Sequence, residues 1–195
     1  MTGVAAHDQD LSNQIEIAFE QLTKLRADWK NGSVQLVVGC YASCVELAQT
    51  VDFLVDHEKC YDAQIILRSM LEHFVELRNL ELNPAHKNNL HFTHAKNVKF
   101  QLQNAATENK FFQNFAQRLE LAKETQYWND KLGDIQELGG ENLNIQRRFQ
   151  IAGMNDEYES VYRNLSQLSH PTYGGIIRRH LNYHSDTHKC IILGT

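Results

Sequence analysis

Apolar residues in this chain recur at the three-to-four-residue spacing of a helix almost from end to end, and prolines stand only at positions 84 and 171. Strict apolar/polar alternation, the mark of half-buried strands, is missing from the long segments. Leu, Ala, Gln and Glu, all good helix formers, fill the intervening positions. The pattern predicts an all-α fold, a helical bundle of about five to seven helices. At 195 residues the chain is long enough for one sizeable core and short for two, so a single domain over 1–195 is expected.

The segments can be placed by their start and stop signals. A first helix is expected from about Asp8 to Lys30, with Leu11, Ile15, Ala18, Phe19, Leu22, Leu25 and Trp29 on one face and Asn31-Gly32 as its stop. Ser33 can cap a second helix reaching about Val55, apolar nearly all round and therefore expected to be the buried centre. Gln35, Glu46, Gln49 and Asp52 interrupt that stretch, which argues against a membrane span. Glu46, the sole charge between Ser33 and Val51, is expected to be buried with a partner.

A third helix is expected over roughly Cys60–Leu82, burying Ala63, Ile66, Leu67, Met70, Leu71, Phe74 and Leu77, until Asn83-Pro84 breaks it. A fourth and fifth fill about Ala85 to Leu132, with Thr107 as the cap between them and Gly133 as the stop. A less regular excursion at about 134–155 holds one short helix near Leu143–Ile151. Asn155 or Asp156 can start a sixth helix that buries Tyr158, Val161, Leu165 and Leu168. It should end at His170-Pro171, because a residue before proline resists helical geometry. A last short helix is expected over Ile176–Tyr183, with a polar tail from about 184.

Charge narrows the function classes. The net charge of −5 excludes a polycation that clings to nucleic acid without discrimination. Its distribution is uneven: 13 Lys/Arg face 19 Asp/Glu between Met1 and Gly140, whereas Ser160–Tyr183 holds Arg163, Arg178 and Arg179 and no acid. Those arginines make that stretch a candidate anion site, with Arg178 and Arg179 as anion-binding candidates. The four cysteines have neither the density of a disulfide scaffold nor a paired zinc spacing, and the polar, acidic start lacks the form of a signal peptide. A cytoplasmic location is expected.

The segment Arg163-Asn164-Leu165-Ser166-Gln167-Leu168-Ser169-His170 concentrates the candidate chemistry. On a continuous helix, Arg163 and His170 would differ by two turns less about 20° and lie about 10.5 Å apart along the axis, on one face. Asn164, Ser166 and Gln167 would flank that face. The segment resembles the HEPN superfamily, whose active members carry an arginine, usually followed by a polar residue, and then a histidine after four to six intervening residues; Arg163-Asn164 and His170 fit that spacing. The resemblance implies a small helical bundle that forms a homodimer and cleaves RNA without metal or other cofactor. It also implies a toxin–antitoxin or phage-defence setting, with an antitoxin or regulatory protein as a partner.

A second resemblance, spanning more of the chain, is to uncharacterised bacterial all-helical proteins with an Arg-Ser-x-Leu-Glu helix and a later Leu-Ser segment leading to His-Pro. The residues are Arg68-Ser69-Met70-Leu71-Glu72, Tyr162-Arg163-Asn164-Leu165-Ser166 and Ser169-His170-Pro171. It suggests that Arg68 and Glu72 face the same site.

In the ribonuclease reading, His170 moves a proton and Arg163 stabilises the charge on the phosphorane. Asn164, Ser166, Tyr162, Arg68 and Glu72 support them. The competing reading is a non-catalytic helical module that binds a protein partner or an anionic ligand through the Arg163/His170 face, with His170 serving only to cap a helix end. His180, His184 and His188 step by four and on a helix could hold zinc, a weaker candidate because Ser185-Asp186-Thr187 is a poor helix interior. There is no Gly-rich phosphate loop, Gly-x-Ser-x-Gly elbow or His-Glu-x-x-His helix.

Overall fold

The computed structural model describes residues 2–26, 30–107, 110–112, 120–170, 173, 175–176, 181–184 and 189–192. It is an all-α fold carrying one small hairpin. The helices are α1 (Thr2–Lys24), α2 (Gly32–Asp56), α3 (Cys60–Leu82), a 3-10 turn (Pro84–His86), α4 (Lys87–Ala105), α5 (Leu121–Glu137) and α6 (Ile145–Ile151). A single turn, α7 (Asn155–Glu157), then runs through a π-helical turn (Tyr158–Tyr162) into α8 (Arg163–Ser169). Strands β1 (Leu181–His184) and β2 (Lys189–Ile192) pair antiparallel, with Leu181 opposite Ile192. The chain divides into two compact units, one of Met1–Asn79 with Ile145–Thr195 and the other of Leu80–Asn144.

Helix ends follow local chemistry, not always at the expected residue. Asn31, not Ser33, caps α2, its side chain accepting from the Ser33 and Val34 amides. Asn83 accepts from the Ala85 amide, with Pro84 in the first turn where its missing N–H costs nothing. The Thr107 hydroxyl donates to the Asn104 carbonyl in the turn after α4, and the residues it was expected to cap, 108–109 and 113–119, lie outside the described residues. Gly133 does not stop α5. The stop is Gly139-Gly140: Gly139 has φ +81°, its amide bonds to Gln136, and the Gly140 amide bonds to Ile135, a Schellman motif. The same motif ends α6, where Gly153 bonds back to Gln150 and Met154 to Phe149.

In the first unit the core gathers fully buried Val75 and Phe149 with Ala152 and Tyr162, and Leu71, Ile145, Met154 and Tyr158 pack around them. The Phe149 ring lies 4.9 Å from Tyr162 and 5.4 Å from Tyr158. Three expectations are corrected here. First, α2 is not the buried centre: Val45 is its buried residue, Glu46 is exposed, and Phe53 is 58% exposed. This helix is long and apolar enough to cross a membrane by length and composition. Second, α3 buries Ala63 and packs Leu71 against the core as expected, but Phe74 is 43% exposed, and Val75, Glu76 and Asn79, absent from the expected set, are buried. The stripe that includes Arg68, Glu72 and Glu76 is also covered by other elements, because Tyr162 and Arg148 supply partners there. Third, Val161 is 43% exposed and Tyr162 takes the inward place.

In the second unit, Phe92, Ala95 and Ile135 form the core with Trp128 and Leu132 packed against it. The expected last helix over Ile176–Tyr183 is overturned for its final residues, which are the strand Leu181–His184.

Candidate functional site

Arg68 is the hub of the site. Its Nη1 donates to the Ser169 hydroxyl at 2.7 Å, while Nε and Nη2 reach the Tyr162 hydroxyl at 3.4 and 3.3 Å. The Tyr162 hydroxyl in turn donates to Glu72 Oε1 at 2.7 Å, and that oxygen lies 3.3 Å from Arg68 Nε. The guanidinium carbon also lies 5.4 Å from the Tyr162 ring centroid, within cation–π range. Arg68 and Glu72 meet because they are one turn apart on α3. Tyr162 reaches them because it ends the π-helical turn on the buried side, stacked on Tyr158 with ring centroids 5.6 Å apart. Such widened turns recur at functional sites.

Burial, more than its bond to Glu72, pushes the Tyr162 phenol above its ordinary value of 10.0, and Arg68 opposes that shift. At neutral pH the hydroxyl is therefore a donor to the Glu72 carboxylate. Tyr61 grips the other end of α8, its hydroxyl 2.5 Å from the Leu168 carbonyl and 3.2 Å from that of Gly175. That contact serves a carbonyl at the helix terminus, where no further turn can. Below the site, Arg148 Nη1 bonds Glu76 at 2.7 Å, and the side chain of fully buried Asn79 donates to the Arg148 carbonyl.

The two residues on which the chemistry was expected lie outside this network. Arg163, the first residue of α8, is exposed and paired with Glu159 at 2.5 Å, which raises its guanidinium pKa further. His170 is exposed and stands after the helix, with an extended backbone at φ −98°, ψ 151°. The helical projection that puts it on one face with Arg163 therefore stops at Ser169, since the following proline disfavours helical geometry at His170. The Asn164 side chain donates to the Ser160 carbonyl, and Ser166 gives its carbonyl to the Ser169 hydroxyl.

The structure thus brings Arg68, Glu72 and Tyr162 together and leaves Arg163, Asn164 and His170 on the outside of the segment they brace. Ser169 and Tyr61 were missed in the sequence; the only signal for Ser169 is its place in the Leu-Ser…His-Pro run. Arg178, Arg179, His180 and His188 lie outside the described residues. His184 is in a strand, so a helical ligand ladder through it is not formed. Among the described residues no three His, Cys, Asp or Glu side chains are grouped to hold a metal ion.

No curated protein and no solved structure matches this chain. A family profile does match, over residues 34–188, a span that includes both the α3 pair and the Tyr162–His170 segment. The chain therefore belongs to DUF5677, a family of unknown function.

Proposed function

We propose that this protein is a metal-independent endoribonuclease in which Arg163 and His170 act on one phosphodiester. The observation that carries the reading is the brace beneath them. Arg68 and Glu72 hold Tyr162 and Ser169, the residues immediately before Arg163 and His170, so both exposed side chains rise from fixed backbone points. Preorganised donors are worth most where charge develops in the transition state. In the reaction the ribose 2′-oxygen attacks phosphorus and the bond to the 5′-oxygen breaks, leaving a cyclic phosphate and a 5′-hydroxyl. His170 takes or gives a proton and Arg163 stabilises the added negative charge. A homodimer would supply a second His170 for the second proton. We place this activity in the cytoplasm, in a toxin or phage-defence role, with an antitoxin or regulatory protein as partner.

One observation favours a second reading, a non-catalytic module that binds a protein partner or an anionic ligand. Arg163 is already paired with Glu159, and a phosphate must displace that carboxylate. Incubating the purified chain with mixed RNA in EDTA separates the two. Wild type should cleave and leave cyclic-phosphate ends, while His170→Ala and Arg163→Ala should each lose about 100-fold or more. Undiminished cleavage by both variants would sink the assignment, and no cleavage by wild type would favour the binding module.

A further inference from the structure

The second unit contains a cleft of about 470 Å³ between α4 and α5, a size suited to a small-molecule ligand. Its apolar side includes Phe92 and Leu132, which belong to the core of that unit. Phe100, 65% exposed, also lines it, as do Lys96 and Lys99. Positions 92, 96, 99, 100 and 103 recur at three- and four-residue steps, so a single face of α4 supplies an aromatic, two ammoniums, a second aromatic and an amide. Neither lysine has a carboxylate partner among the described residues. Glu141 is the acid in the lining, which leaves the cleft one positive charge in excess.

The wall opposite α4 is built to hold its shape. The Asn88 side chain donates to the Leu138 carbonyl at 2.8 Å, and Asn89 accepts from the Glu141 amide at 3.0 Å. Gly140, also in the lining, sits so close to its neighbours that a Cβ there would meet Ile135 Cγ2 at 2.5 Å and the Asn88 carbonyl oxygen at 2.8 Å. An apolar floor, an uncovered aromatic ring and two uncommitted cations on one fixed frame match a ligand that is flat and apolar at one end and anionic at the other.

We propose that this cleft binds a small aromatic anion, a planar ring carrying one phosphate or carboxylate. The ring packs between Phe100 and the Phe92/Leu132 floor, and the anionic group meets Lys96 and Lys99. The site is independent of Arg163 and His170.

Ligand-observed NMR titration of the full chain tests it, with phenyl phosphate, phenylacetate, inorganic phosphate and benzyl alcohol as probes. Phenyl phosphate or phenylacetate should bind saturably, and the tighter of the two identifies the anionic group. Lys96→Gln/Lys99→Gln should weaken that binding about tenfold or more, the scale of losing a charge-assisted hydrogen bond. Phe100→Ala should weaken the ring-bearing anions and leave inorganic phosphate unchanged. Both substitutions fall on the cleft rim, and unchanged circular dichroism checks their folding. Absence of saturable binding by both aromatic anions overturns the proposal. So does wild-type affinity in both variants, or equal affinity for inorganic phosphate or benzyl alcohol.

Discussion

Replacing Tyr162 with phenylalanine removes one oxygen from the centre of the brace and leaves the ring in place. The ring keeps its contacts with Phe149 and Tyr158, so no cavity forms. The loss is the 2.7 Å bond to Glu72 and the two longer ones from Arg68. A hydrogen bond to a charged acceptor contributes about 1.5–3 kcal/mol, but the Glu72 side chain is 39% exposed and keeps Arg68 at 3.3 Å, so water and the guanidinium offset part of it. We expect a loss of about 1–2 kcal/mol in urea unfolding at pH 7. Tyr162→Ala, which also empties the ring site, should lose about 3–5 kcal/mol.

The pH dependence checks the same bond. An unfolded tyrosine releases its proton near 10.0, whereas folded Tyr162 holds it to higher pH, so above that point the folded state binds more protons. The tyrosine's contribution is complete below pH 10.0 and fades as pH rises through the folded value. The gap between wild type and Tyr162→Phe should therefore narrow in alkali. An unfolding midpoint identical in wild type and Tyr162→Phe at pH 7, with Tyr162→Ala still destabilised, would refute the brace as an energetic feature.

Two further expectations concern Gly140 and the cysteine thiols. Gly140→Ala should destabilise the chain by about 1–3 kcal/mol in thermal or urea unfolding, because its Cβ meets backbone oxygen on two sides and neither can yield cheaply. An unchanged midpoint would mean that the turn after α5 relaxes freely. Burial, with a smaller effect from Cys40, pushes the Cys44 thiol up to about 11, so iodoacetamide at pH 8 should alkylate exposed Cys60 well before Cys44. Mass mapping of a time course reads the order directly, and early labelling of Cys44 would contradict the burial argument.

The sequence by itself determined the helical class and many helix positions. Period and breakers are local properties: Asn83-Pro84 ends α3 at Leu82, and Pro171 ends α8 at Ser169. Where two local signals compete, only the structure chose between them. Asn31 outbids Ser33 as the cap of α2, and Gly133 is carried inside α5 because the paired amide bonds of a Schellman motif are available only at Gly139-Gly140. The candidate site was half legible, since Arg68 and Glu72 announce a pair by their spacing. Their links to Tyr162 join residues 94 and 90 apart, and no helical period reports on such contacts. Burial was the least legible property of all. The apolar α2 leaves Phe53 exposed while α3 buries Glu76 and Asn79, because a side chain is covered only where another element packs over it. That choice belongs to tertiary packing: hydrophobicity says what a residue would gain from burial, and the neighbouring helices decide whether it is buried.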